Sequence, residues 1–193
     1  MEPIRREDIL PAPEYERQRP ELRRRIMALK ARRRLPLGEH ATVHFENRDT
    51  MWYQVHEMLR AEGSWSRPGA IEAELAAYNP LVPAGRELSA TLMIEYEDPT
   101  ERAARLAELV GIEGCLRMHI GDTPPVEAVF DTAQVSPTRI SSVQYVKFPL
   151  NAEQAELLRR EGTVVRVVLD HPALRAQAVV GEETRRELAG DLE

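Results

Sequence analysis

The sequence predicts an α+β protein: a mixed, mainly antiparallel sheet of about seven strands, with helices packed on it and a basic helical arm at the N-terminus. Two patterns lead to this prediction. Stretches in which apolar and polar residues alternate, as in strands, are interspersed with stretches whose apolar residues recur every three to four positions, as in helices. In addition, two alternating stretches at 115–120 and 126–131 flank a turn rich in Gly and Pro, which indicates a hairpin.

The basic arm is defined by its charge. Residues 1–37 hold 11 Lys+Arg against 6 Asp+Glu, a net charge of +5, whereas the rest holds 15 against 26, a net of −11; together they give −6. Leu22, Ile26 and Leu29 form one apolar stripe, so we expect a helix from Pro20 to about Arg34. We therefore divide the chain into a basic helical arm, residues 1–38, and a single α+β domain, residues 39–193.

The first half of the domain begins with strict alternation over Ala41–Glu46, which predicts a strand. A helix capped by Asp49 or Thr50 follows, to about Glu62, and another opens near Ser66 or Pro68 and runs to Tyr78. The clearest strand pattern lies at 88–96.

The second half begins with Asp98-Pro99-Thr100-Glu101, a helix-start signature whose helix stops at Gly111. After the hairpin come a strand at 140–148, a helix capped by Asn151, an almost wholly apolar strand at 164–169, a strand near 174–180 and a short helix from Glu182. The strand at 164–169 is expected to be central and covered on both faces. Two strand–helix–strand segments, 88–120 and 140–169, are expected to make locally parallel pairs.

Several classes of protein are excluded by composition. The N-terminal residues have no apolar core of a secretory signal, and no run approaches the roughly 18 apolar residues of a membrane span. Cys115 is the only cysteine, so an intramolecular disulfide or a cysteine-based metal site within one chain is excluded. A cytoplasmic protein that does not span a membrane is therefore expected.

Several short words in the sequence carry a resemblance to a known family. They are Phe45-Glu46-Asn47-Arg48, Glu57-Met58-Leu59-Arg60, Glu87-Leu88-Ser89-Ala90-Thr91, Val143-Gln144-Tyr145-Val146, Phe148 and Asp170-His171-Pro172, with Asp8-Ile9-Leu10-Pro11 near the start. Together they resemble an uncharacterised bacterial family catalogued as a domain of unknown function. Its members tend to be encoded near rubrerythrin-like and iron–sulfur oxidoreductase-like proteins, so the resemblance implies an oxidative or redox setting and a redox protein partner.

The leading candidate for a ligand site is the turn between the first strand and the next helix. A carboxylate, an amide and a guanidinium stand together there, beside a helix N-terminus that favours anions. Glu57 and Arg60 share one face of that helix. The candidate ligand-binding residues are Glu46, Asn47, Arg48, Glu57, Arg60, Gln144, Asp170 and His171. The alternative interpretation is a structural ion-pair network that fixes the arm to the domain.

Three weaker candidates remain open beside their structural explanations. His40, His44, Glu46 and His56 are chemically suited to a metal, but satisfied or exposed histidines explain them better, and no metal site is predicted. Asp170 and His171 follow a buried strand, where catalytic groups often lie, although a simple turn explains them better. Cys115 shares a strand face with Arg117 and His119, which would lower its pKa, yet a lone cysteine is more often a small buried residue.

Three functions follow as hypotheses, and no cofactor is assigned. The first is an accessory or ligand-binding protein that acts with a redox or oxidative-stress system. The second is an enzyme that gathers Glu46, Arg48, Glu57, Gln144 and His171 around one cleft. The third is nucleic-acid binding through the arginines of the arm, which the acidic domain makes less favourable than docking of the arm on its own domain or on a second copy in a homo-oligomer.

Overall fold

The computed structural model describes residues 1–131 and 138–192. These residues form six α-helices: α1 (Ala12–Arg32), α2 (Arg48–Glu62), α3 (Ala70–Tyr78), α4 (Pro99–Glu108), α5 (Ala152–Arg159) and α6 (Glu182–Ala189). They also form nine strands: β1 (Arg34–Pro36), β2 (Ala41–Glu46), β3 (Glu87–Ile94), β4 (Leu116–Ile120), β5 (Val126–Glu127), β6 (Val129–Phe130), β7 (Val143–Pro149), β8 (Val165–His171) and β9 (Leu174–Val179). The α+β class is confirmed.

The described strands form two sheets, which we call sheet A and sheet B. Sheet A has the order β1-β2-β3-β7-β6 and sheet B the order β5-β4-β8-β9. Every pairing is antiparallel. The expected parallel pairs are wrong, because the segments with α4 and α5 each lead from sheet A into sheet B instead of returning to the same sheet.

The main core lies between the two sheets. Alternate residues of β3, β4 and β8, such as Leu92, Met118 and Val167, are fully buried in one cluster. Along β8 the residues between them are mostly exposed, among them Arg166 and Asp170. The expectation that this strand is covered on both faces is therefore wrong, since an antiparallel sheet can leave one face in water.

Helices α1, α2 and α3 lie on the other face of sheet A, which we call its outer face. Met51, Val55 and Leu59 of α2 form a second apolar cluster that Tyr145 of β7 joins. Helix α2 begins two or three residues earlier than expected because Asn47, rather than Asp49 or Thr50, caps it by accepting a hydrogen bond from the Thr50 amide at 3.0 Å. A helical layer therefore covers the strand that ends at Glu46.

Helix α1 is longer than the sequence indicated. It begins at Ala12 and carries Pro20 in its interior, not in its first turn. A proline there removes a backbone hydrogen bond, but the buried side chains of Tyr15 and Ile26 on either side fix the helix against α2. Within the described residues, no helix is long and apolar enough to cross a membrane.

Candidate functional site

A groove of about 470 Å³ lies between α1 and the outer face of sheet A. We call it the α1 groove. Its apolar wall comes from both layers and includes Met27, Met51, Leu81, Met93 and Val143. Its polar lining includes Lys30, Arg34, His44, Glu46, Gln54, Thr91 and Tyr145. The groove is thus mainly apolar, with a few polar groups placed at defined points.

The register of sheet A explains which side chains line this groove. His44, Thr91 and Tyr145 are opposite one another across β2, β3 and β7, and Met93 lies opposite Val143 in the next row. Because side chains alternate between the two faces of a strand, these residues all point away from the main core. The helices above them leave the α1 groove open over these rows.

Glu46 places a buried carboxylate in the lining of the α1 groove. The residue is 6% exposed. Thr91 donates a hydrogen bond to Oε1 at 2.9 Å, and Thr50 donates one to Oε2 at 2.7 Å. Each carboxylate oxygen therefore has a hydroxyl donor, which meets the requirement that a buried polar group be hydrogen-bonded.

Basic side chains also line the α1 groove. Lys30 is in the last turn of α1, and Arg34 of β1 lies directly across from His44 of β2. Within the described residues, the side chains of Lys30 and Arg34 form neither an ion pair nor a hydrogen bond. Burial lowers the pKa of His44; the Glu46 and Glu95 carboxylates oppose this shift, while the charges of Arg34 and Lys30 add to it. His44 is thus kept neutral by burial, among charges of both signs.

The predicted polar turn has a structural role apart from Glu46. Asn47 is the cap of α2. Arg48 donates a hydrogen bond to the Asp8 carboxylate at 2.6 Å and another to the Glu2 backbone oxygen at 3.1 Å. Arg48 therefore fixes the N-terminal segment onto α2 and does not enter the α1 groove.

Glu57 and Arg60 bind α1 to α2. Arg19 donates hydrogen bonds of 2.8 and 2.7 Å to the two oxygens of Glu57, which also accepts one of 2.7 Å from the Tyr15 hydroxyl. Arg60 pairs with Glu16 at 2.8 Å. These contacts match the alternative interpretation given above, an ion-pair network that fixes the arm to the domain.

The expectation that five polar residues converge in one cleft is wrong. Gln144 lies opposite Leu92 and so points into the core, on the face of sheet A that Glu46 does not share. His171 is in sheet B, where its Nε2 lies 3.2 Å from the Val110 backbone oxygen. Asp170 is exposed and pairs with Arg175 at 3.1 Å. The cleft fails because residues that alternate along a strand, or lie in different sheets, face different surroundings.

The histidines considered for a metal site lie in different parts of the structure. His40 stacks on Tyr96 with ring centroids 4.2 Å apart, whereas His56 is buried between α1 and α2. Among residues 1–131 and 138–192, no three His, Cys, Asp or Glu side chains are grouped for a metal. Burial raises the pKa of Cys115 and the nearby Arg117 only opposes this, which favours the interpretation as a small, partly buried residue over that of an activated thiol.

Sequence reasoning missed most of the α1 groove. Of its lining, only Glu46 was among the candidate ligand residues. A usable signal was present in Met93, Val143 and Tyr145, which are large and apolar or aromatic at strand positions whose neighbours already face the core. Large residues on both faces of a strand indicate that something covers the second face.

The fold and groove define a two-sheet α+β protein with a groove of ligand size beneath a basic helix. Residues 3–192 match the family model described as protein of unknown function (DUF3501), and the chain belongs to this family. It is similar to a protein from Burkholderia pseudomallei K96243 whose crystal structure is described as that of a novel protein of unknown function. That similarity has 36% identity and a TM-score of 0.91, and covers 100% of both chains. No curated protein matches the chain.

Proposed function

We propose that this protein binds a small molecule in the α1 groove. The single observation that carries the proposal is the groove itself: an apolar-walled space of about 470 Å³ with a few polar groups in its lining. Small-molecule sites typically have volumes of roughly 300–1,000 Å³ and combine apolar walls with a few placed polar groups. The α1 groove meets both criteria.

The site depends on contacts that hold its walls in place without a ligand. Thr50 and Thr91 fix the Glu46 carboxylate. Arg33, which also lines the groove, is buried and donates hydrogen bonds to the backbone oxygens of Phe45 and Glu46 at 3.0 and 3.2 Å. A preformed site loses less conformational entropy on binding, which favours affinity.

The test uses N-phenyl-1-naphthylamine, a neutral apolar dye that fluoresces on leaving water. We expect saturable binding at one site, abolished by Val143→Trp, which fills the α1 groove. The matched control is Val179→Trp, on the outer face of sheet B, where Val179 is 61% exposed. Met93→Trp fills the groove from another strand. If both groove variants keep their native circular dichroism and bind the dye as the wild type does, the proposal is wrong.

We also propose that the protein acts with a redox protein partner in the bacterial cytoplasm. The support is the resemblance, whose members occur beside rubrerythrin-like and iron–sulfur oxidoreductase-like proteins. A pull-down from native extract tests it. A redox protein should be recovered with the chain, and recovery of ribosomal or nucleic-acid material alone would count against it.

Homo-oligomerisation through the basic arm stays a prediction. Several arginines of α1 are already engaged within the chain, for example Arg19 with Glu57 and Arg25 with Asp49. Among the described residues the exposed Arg23 has no such partner, and the exposed Arg24 pairs only with Glu21 of the same helix, so these two are the groups most accessible to a second copy. Analytical ultracentrifugation of the wild type and of Arg23→Ala with Arg24→Ala should reveal an oligomer that this double variant weakens.

A further inference from the structure

We propose that the ligand of the α1 groove is a small amphipathic organic anion, with its acidic group between Lys30 and Arg34 and its apolar body on Met93 and Val143. This inference rests on the proposed function, which requires only that some small molecule binds there. It adds the chemical class of the ligand and the direction in which the ligand lies.

Lys30 and Arg34 differ from most neighbouring cations in lacking a carboxylate partner among the described residues. Most arginines in this part of the chain have a carboxylate partner: Arg19 with Glu57, Arg25 with Asp49, Arg32 with Glu187 and Arg33 with Asp191. Lys30 and Arg34 line the groove, and neither side chain has such a partner in the described residues. A chain that neutralises the neighbouring cations leaves these two for an external anion.

The groove is asymmetric along the strands of sheet A. Arg34 and His44 lie in one row across the strands. Glu46 lies one row further along β2, whereas Met93 and Val143 form the row on the other side. The Glu46 carboxylate repels an acidic group, and charges interact more strongly beside an apolar wall than in bulk water. An anion whose acidic group meets the two cations therefore extends its apolar part over Met93 and Val143, away from Glu46.

A cationic ligand is less favoured than an anion. The Glu46 carboxylate is buried, and each of its oxygens already accepts a hydroxyl hydrogen bond, from Thr91 or Thr50. The two unpartnered cations of the lining, Lys30 and Arg34, repel a cationic group. The apolar lining residues Met27, Met93 and Val143 fit an aliphatic or aromatic body and offer no hydrogen bond.

The experiment compares three probes that share a ten-carbon chain: decanoate, decanol and decyltrimethylammonium, all below their micelle concentrations. Each displaces N-phenyl-1-naphthylamine from the full-length protein. We expect decanoate to bind about tenfold more tightly than decanol, which corresponds to one charge-assisted contact, and decyltrimethylammonium to bind most weakly. Lys30→Ala with Arg34→Ala should weaken decanoate about tenfold and leave decanol unchanged.

The control is Arg23→Ala with Arg24→Ala, which removes the same net charge from exposed positions of α1 that do not line the groove. It should leave decanoate binding unchanged. Equal affinity for decanoate and decanol, or an equal effect of both double variants, would overturn the anion assignment while leaving groove binding intact. If Val143→Trp leaves binding of all three probes unaltered, the proposed function fails as well.

Discussion

The two ends of α1 are held by ion pairs of the same chemistry in different surroundings. Near its start, Arg19 meets Glu57, and these side chains keep 24% and 22% of their surface exposed. Just beyond its end, Arg33 meets Asp191, and these keep only 1% and 3%. The comparison teaches that the surroundings decide what an ion pair contributes, because a buried charge that loses its partner has no water to replace it.

The largest effect is expected from Asp191→Asn. It leaves the buried Arg33 guanidinium beside a neutral amide, with only the more distant Glu187 carboxylate at 3.9 Å, and we expect the free energy of unfolding to fall by about 3 kcal/mol. Urea denaturation measures it. The control is Asp170→Asn, whose carboxylate faces Arg175 in water and should change stability by about 0.5 kcal/mol or less. Similar losses of unfolding free energy in both variants would show that burial does not decide what these ion pairs contribute.

Replacing both partners of the buried pair tests the same conclusion in a second way. Burial raises the pKa of Asp191, and the attraction of Arg33 opposes this without reversing it. Desolvation therefore outweighs the ion pair, so Arg33→Met combined with Asp191→Leu should be more stable than Asp191→Asn alone. A double variant less stable than the single one would show that the hydrogen bonds from Arg33 to Phe45 and Glu46 dominate.

The stability that the more exposed pair, Arg19 with Glu57, contributes should be lost in acid. Hydrogen bonds from Arg19 and Tyr15 lower the pKa of Glu57 from its ordinary 4.5 to about 2, against the opposing effect of burial. A lowered carboxyl pKa stabilises the fold above the unfolded value, and this stability is lost as pH falls from about 4.5 towards 2. In Glu57→Gln we expect the loss of about 2 kcal/mol to be present already at neutral pH. Equal acid sensitivity of both proteins would contradict this.

His56 should give the same end of α1 a dependence on pH near neutrality. Burial lowers the pKa of His56, which stacks on Tyr15 and has Nε2 3.0 Å from the Leu10 amide. A lowered histidine pKa means that stability is present above the unfolded value and declines as pH falls below about 6.5. The slope contributed is at most about 1.4 kcal/mol per pH unit. Denaturation of His56→Gln between about pH 7 and pH 5 should show a smaller slope than the wild type.

The quantity to compare is the slope of the free energy of unfolding against pH, because His56→Gln also removes ring stacking and lowers stability at every pH. His44 has a pKa lowered in the same direction and contributes slope of the same sign. Identical slopes in the variant and the wild type would show that His56 is not the titrating group.

The smallest effect belongs to a pair on the surface of α1. Arg25 and Asp49 are 3.2 Å apart, with 64% and 50% of their side chains exposed. Arg25→Ala should lower the free energy of unfolding by about 0.5 kcal/mol or less, and salt should remove even that. A loss as large as that of Asp191→Asn would show that exposure does not separate the ion pairs of this helix.

The sequence predicted the elements well because their signals are local. The strand Ala41–Glu46, the Asp98 cap and the capping box of Asn151 with Gln154 are confirmed. The burial of Glu46 follows from its position at the end of an alternating strand beneath a capped helix. Periodicity and caps involve residues within one turn of each other, so one sequence suffices to read them.

The division of roles among the arginines could not be predicted in this way. Arg32, Arg33 and Arg34 are consecutive, yet one pairs with Glu187, the next is buried against Asp191 and the third lines the α1 groove. Their partners lie on elements far along the chain or across a sheet. Whether the strands form one sheet or two could not be predicted either. A helix that connects two strands has the same sequence pattern whether they lie in one sheet or in different sheets.

The contact between Arg33 and Asp191 also imposes an order on biosynthesis. The two residues are 158 positions apart. At typical rates of about 5–20 residues per second, Asp191 emerges from synthesis roughly 8–32 s after Arg33. During that interval the guanidinium has no buried counter-charge, so the junction between α1 and β2 stays hydrated and closes only once α6 has been made. Translation speed therefore sets how long this nascent chain stays open.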